Sequence, residues 1–120
     1  MAEGMVAVLD TSRLLSLSDE IGDAGVVREA VATFVTEVPN RLEDIHTAVA
    51  NQNFADIRSA AHALGSPASM LGADAVRAST RAMQDAARDG RIEEFAPLTL
   101  RITSDAERTV AAMLDYLGSA

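Results

Sequence analysis

The sequence predicts an all-α protein: an up-down antiparallel four-helix bundle with a short extra N-terminal helix. Three observations point there. Apolar residues recur at helical spacing through most of the chain, and nowhere do they alternate as a strand requires. Hydrophobic residues make up 48% but aromatics only 3%, with no Trp. The core must therefore be built from Ala, Val, Leu, Ile and Met, which favours close-packed helices over a sheet. The breaks between long segments are short, as they are between antiparallel neighbours. The 120 residues suit one domain with one modest core, expected over 10–118 after a flexible leader at 1–9.

Each helix has its own signals. Asp10-Thr11-Ser12 can cap a short helix carrying Leu14, Leu15 and Leu17, and Gly22-Asp23 ends it. A second helix starts near Ala24 and places Val27, Ala30, Val31, Phe34, Val35 and Val38 on one period. Pro39 interrupts it before Leu42, Ile45 and Val49 resume. A proline there predicts a kinked or split helix ending near Asn51-Gln52-Asn53. The third runs from Phe54 to Leu71 with Gly65 and Pro67 inside, and Gly72 is its stop. The fourth spans Asp74 to about Arg88, before Asp89-Gly90. The fifth spans Ile92 to Leu117, with Pro97 in its first turns and Phe95, Leu98, Leu100, Ile102, Ala106, Val110, Met113, Leu114 and Leu117 as apolar positions. Phe34, Val31, Ile57, Leu64, Leu71, Met83 and Val110 are the expected core.

Charge and composition exclude several functions. The net charge of −8 argues against nucleic acid, which needs a basic face, and against an anionic membrane surface. No stretch approaches the ~18 apolar residues of a membrane span, and no signal-peptide pattern opens the chain. The cytoplasm is the expected location. Without Cys there is no disulfide framework and no thiolate chemistry. His46 and His62 are 16 residues apart with no metal-ligand spacing around them, so no metal and no other cofactor is expected. All ten positive residues are Arg, so any anion contact falls to Arg, backbone or a neutral polar group.

His62 is the most informative residue. Ile57, Ala61, Leu64, Ala68 and Leu71 form the buried face of the third helix, and His62 borders it. Its helical neighbours at three, four and seven positions are Ala55, Arg58, Ser59, Gly65, Ser66 and Ser69. All but Arg58 are small, which leaves the imidazole open to another protein. On the fourth helix, Arg77, Arg81, Gln84 and Arg88 form one stripe beside the apolar stripe Val76, Thr80, Met83 and Ala87. Folding the two helices back at Gly72-Ala73 puts His62 and Gln84, each eleven residues from Ala73, about 16 Å from the turn and level with each other. A surface His with Gln and Arg across a helix pair can hold a phosphoryl group, because guanidinium forks and amides suit its oxygens. His46, flanked by Leu42, Glu43, Val49 and Ala50, reads as a surface or boundary residue.

The run Ala61-His62-Ala63-Leu64-Gly65-Ser66-Pro67-Ala68-Ser69-Met70-Leu71-Gly72-Ala73 resembles the signature of histidine-containing phosphotransfer (HPt) domains of two-component phosphorelays. Ala61, His62, Leu64, Gly72 and Ala73 match the family pattern. Phe34, Pro39 and Leu42 resemble its second helix, and the resemblance covers about residues 10 to 118. Two positions depart from it: the family's Lys three after the His is Gly65 here, and its Gly four after is Ser66. Pro67 is a further departure.

The resemblance implies a phosphoryl carrier rather than a turnover enzyme. His62 would accept a phosphoryl group from a receiver-domain aspartate and pass it to another response regulator. Arg58, Gln84 and Arg88 would support the group. Ala55, Ser59, Gly65, Ser66, Ser69, Arg77 and Arg81 would meet the partner, a receiver domain of a hybrid histidine kinase or a response regulator. Any metal ion would come with that receiver. A monomer is expected. The missing Lys leaves an alternative, a degenerate HPt-like docking domain that binds receivers or another protein without carrying phosphate. An enzyme using His62 as general base is disfavoured, since no orienting acid or convergent nucleophile accompanies it.

Overall fold

Helices are the regular secondary structure of the computed structural model, which describes residues 7–119. α1 spans Thr11–Ile21, α2 Ala24–Ala50, α3 Phe54–Met70, α4 Asp74–Asp89 and α5 Phe95–Gly118, and a single 3₁₀ turn at Ile92–Glu94 precedes α5. α2, α3, α4 and α5 each pack against two of the others, so their contacts close a ring, and α1 lies against α2.

Local chemistry explains the boundaries. The Asp10 carboxylate accepts from the backbone N–H groups of Ser12 and Arg13 and so caps α1. Asp23 does the same for α2 through Gly25 and Val26, and Asn53 caps α3 through Asp56. Gly22, Gly72 and Gly90 turn the chain with φ of 80°, 77° and 71°, a region that favours glycine. At Gly72 space matters as well, since a Cβ there would lie 2.7 Å from the Asp10 carbonyl oxygen. The Gly72 carbonyl in turn accepts the Asp10 N–H at 2.8 Å. This contact ties the start of α1 to the α3–α4 turn.

Three expectations need correction here. α2 is not split: Pro39 sits within one helix, on its exposed side, where water can replace the lost hydrogen bond. The fifth helix does not begin at Ile92, because the chain first makes the 3₁₀ turn. The buried Phe95 then meets Phe54 edge-on, with ring centroids 5.5 Å apart. Of the leader expected at 1–9, residues 1–6 lie outside the described residues. Leu9, however, packs against the core, next to the tie at Asp10.

The expected core residues Val31, Phe34, Ile57, Leu64, Leu71 and Met83 are all buried. Val110 is only partly buried. Thr109 takes the inward place in α5, on a stripe with Ile102, Ala106 and Met113, and its hydroxyl donates to the Asp105 carbonyl at 2.6 Å. A threonine so satisfied is tolerated inside. Leu100 and Leu114 fall off that stripe and are exposed. His46 is exposed as expected, with Nε2 3.2 Å from the Thr103 hydroxyl of α5.

α3 and α4 share the most extensive helix contact. Ala61, Gly65 and Ala68 on α3 are buried and small enough for α4 to come close. Thr80 occupies the space over Gly65. A Cβ at position 65 would collide with the Thr80 hydroxyl oxygen and lie 3.2 Å from Thr80 Cβ. That hydroxyl is held by donation to the carbonyls of Val76 at 2.8 Å and Arg77 at 3.2 Å, and β-branched side chains resist rotation.

Three stability measurements follow from this packing. In urea titrations Leu64→Ala should cost about 2–5 kcal/mol, and Val110→Ala well under half of that. Gly65→Ala should destabilise, because overpacking of about 1–3 kcal/mol outweighs the ~1 kcal/mol gained in helix propensity. A Thr80→Ala background should turn it neutral or favourable. Asp10 is lowered below the usual carboxylate range, chiefly by the Ser12 hydroxyl; desolvation opposes the shift, and the Arg13 and Ser12 N–H groups add to it. Its contribution is therefore complete above the unfolded-state pKa and is lost as pH falls through the folded one. Asp10→Ala should lower the midpoint of unfolding at neutral pH, and the gap should close in strong acid.

Candidate functional site

His62 is exposed on α3, and two open grooves meet at it. One runs between α3 and α4: Ser66, Ser69 and Met70 form one wall, Arg77, Arg81 and Asp85 the other, and Arg13 of α1 reaches in as well. The second is smaller and lined by Ala55, Arg58 and Ser59. His62 and Gln84 line both grooves, so together they form the ridge between them. These are the two residues that the count back to the turn pairs.

Local sequence explains why the imidazole stands clear. Ala55, Ser59, Ser66 and Ser69 are exposed and too short to cover it. Gly65 needs correction: it was expected to meet a partner, but it is buried beneath Thr80. Its place is the floor of the larger groove. Position 65 can therefore bear no side chain while Thr80 stays where it is.

Arg88 also sits differently from the expectation that it supports a phosphoryl group across the groove. It lines neither groove, because its own helix holds it. The guanidinium is 3.1 Å from Asp89 and 3.3 Å from Asp85. Asp89 raises the pKa of Arg88, first through their hydrogen bond and then through its charge, and the same hydrogen bond leads in holding Asp89 below the usual carboxylate range. Arg77 pairs with Asp74 at 3.8 Å on the groove wall, and Arg13 with Glu20 at 3.7 Å. Arg58 and Arg81 are exposed and make no ion pair or hydrogen bond among the described residues.

Arg13, Met70 and Asp85 were missed in the sequence. Asp85 was legible in principle, as an acid one position from the Gln84 stripe. Met70 stands next to the run of small residues and is half exposed. Arg13 gave no signal, because α1 reaches this groove through non-local contacts, the Asp10–Gly72 bond and the burial of Leu14 among them. Four arginines thus face the grooves of an acidic chain, with Asp85 the carboxylate among them. Such a local reversal of charge attracts an acidic partner surface. Among the described residues no group of three or more His, Cys, Asp or Glu could hold a metal ion, and no helix is long and apolar enough to cross a membrane.

Comparison with known proteins bears on this arrangement. The crystal structure of histidine-containing phosphotransfer protein B (HptB) from Pseudomonas aeruginosa PAO1 matches with a TM-score of 0.85. The match covers 94% of this chain and 96% of that one at 19% sequence identity, a likeness of fold. No curated protein matches in sequence. The family model for the Hpt domain matches residues 29–120, a span that includes His62, Gln84 and most of both groove walls. With more than half of its length under that model, the chain belongs to the Hpt domain family.

Proposed function

We propose that this protein is a phosphorelay intermediate in which His62 is the phosphoacceptor. An imidazole nitrogen attacks the phosphorus of a receiver's aspartyl phosphate in line. The N–P bond forms as the P–O bond to the carboxylate breaks, and the imidazole's proton is released. The reverse exchange, onto a second receiver's aspartate, regenerates His62. Family membership supports the general role in histidine phosphotransfer. The observation that carries the assignment to His62 is its exposed place with Gln84 between two grooves, with small residues on its own helix around it.

On this reading the Gln84 amide donates to a phosphoryl oxygen, and the short, exposed Ala55, Ser59, Ser66 and Ser69 let a receiver's active-site face come close. Phosphoryl transfer depends chiefly on positioning and charge stabilisation, and the receiver brings the acidic pocket and any metal ion. On this reading the chain is a carrier, not a turnover enzyme. It works as a monomer in the cytoplasm and engages neither nucleic acid nor membrane. The domain is 10–118, arranged as an up-down antiparallel four-helix bundle with α1 as the extra helix. The ring of contacts among α2 to α5 and the short turns between them support that arrangement.

Gly65 favours a second reading. With no basic side chain three residues after His62, the same face could serve a docking domain that carries no phosphate.

One experiment separates the two. Wild type and His62→Gln are incubated with a panel of phosphorylated receiver domains and assayed for acid-labile phosphate. Label on wild type, lost in His62→Gln with helical content and melting temperature unchanged, is the expected result. Equal label on the variant would remove His62 from the reaction. Receiver binding by an unlabelled wild type would favour the docking domain.

A further inference from the structure

We infer that Arg58 and Arg81 form a two-sided clamp that supplies the positive charge for phosphohistidine 62. This deepens the carrier reading and rests on it. A phosphoryl group on His62 brings close to two negative charges at neutral pH to a surface that must offset them. The chain has no Lys, and Gly65 beneath Thr80 closes the position one turn along α3. Only arginine remains.

Eight of the ten arginines already have partners. Arg13, Arg41, Arg77, Arg88, Arg91, Arg101 and Arg108 each face a carboxylate, and Arg28 donates to carbonyls at the end of α5. The other two are Arg58 and Arg81, which flank the His62–Gln84 ridge. Arg58 lies in the smaller groove, one helical turn before His62. Arg81 lies in the larger one, directly after Thr80. The residue that closes position 65 to a side chain is thus the neighbour of a cation on the facing helix.

Other charges do not compete for this role. Asp85 is occupied by Arg88, Arg77 by Asp74 and Arg13 by Glu20. A guanidinium approaching from each side can donate to different phosphoryl oxygens, while the Gln84 amide reaches a third.

The test avoids receivers. Phosphoramidate donates its phosphoryl group to an imidazole nitrogen and releases ammonia, so the carrier can be charged without a protein partner. The phosphohistidine ³¹P resonance is then followed against pH. A clamp favours the dianion and lowers the titration midpoint. Arg58→Ala and Arg81→Ala should each raise it by about half a pH unit, and the double variant by about twice that. Arg81→Lys should keep most of the wild-type midpoint, since it keeps the charge. Arg77→Ala, which removes an occupied charge from the same groove, should move the midpoint much less.

If Arg58→Ala and Arg81→Ala move it no further than Arg77→Ala, the clamp is wrong. A shift in only one of them overturns the two-sided arrangement and leaves a single cation. Failure of His62 to take phosphate at all would overturn the carrier reading, and the clamp with it. A labelled His62 with an unmoved midpoint overturns the clamp alone.

Discussion

The contact between Gly65 and Thr80 is the constraint on which the site depends. Where one helix offers no Cβ and the other places a β-branched side chain over the gap, two axes approach closely. That closeness puts α3 and α4 side by side along their lengths. It brings together the helices that carry His62 and Gln84, and Gly65 and Thr80 line the larger groove. It also has a cost, since nothing larger than hydrogen fits at position 65. The helix that positions the histidine thereby gives up a side chain beside it, and the surrounding chemistry has to come from elsewhere.

Charge is arranged with similar economy. The chain is acidic, with a net charge of −8, and most of its arginines are held by carboxylates one helical turn away. Exposed pairs of this kind add little stability. What they do is fix where each guanidinium points. Arg88 illustrates this: its place in the sequence suggests a reach across the groove, yet Asp85 and Asp89 hold it on its own helix. Spacing on a helix locates the base of a long side chain. The neighbours decide where its charged end goes.

Much of the fold was legible because its signals are local. Asp10, Gly22, Gly72 and Gly90 mark helix ends through capping and left-handed turns, and each boundary depends only on residues nearby. The face of α3 was legible too, since Ile57, Ala61, Leu64 and Ala68 repeat at helical spacing without interruption. In α5 the period was ambiguous. Leu100, Val110 and Leu114 compete with Ile102, Ala106 and Met113, and the choice turned on Thr109, whose hydroxyl satisfies itself on the backbone and enters the core. Pro39 left a kinked and a split helix both open, because its cost depends on which side of the helix it faces. His62 and Gln84 could be paired by counting back to one turn. Arg13 could not, because it enters through non-local contacts, among them a backbone bond between segments sixty residues apart.

The ridge made by His62 and Gln84 has a kinetic consequence. Grooves on both sides open onto the same imidazole, so a globular partner seated there covers both. On the proposed carrier reading a donor and an acceptor share this face and alternate, each leaving before the other lands. For a carrier built this way, lingering after exchange is the fault to avoid: a tightly held partner would block traffic. Exposed small residues and a charged rim suit brief visits better than durable ones.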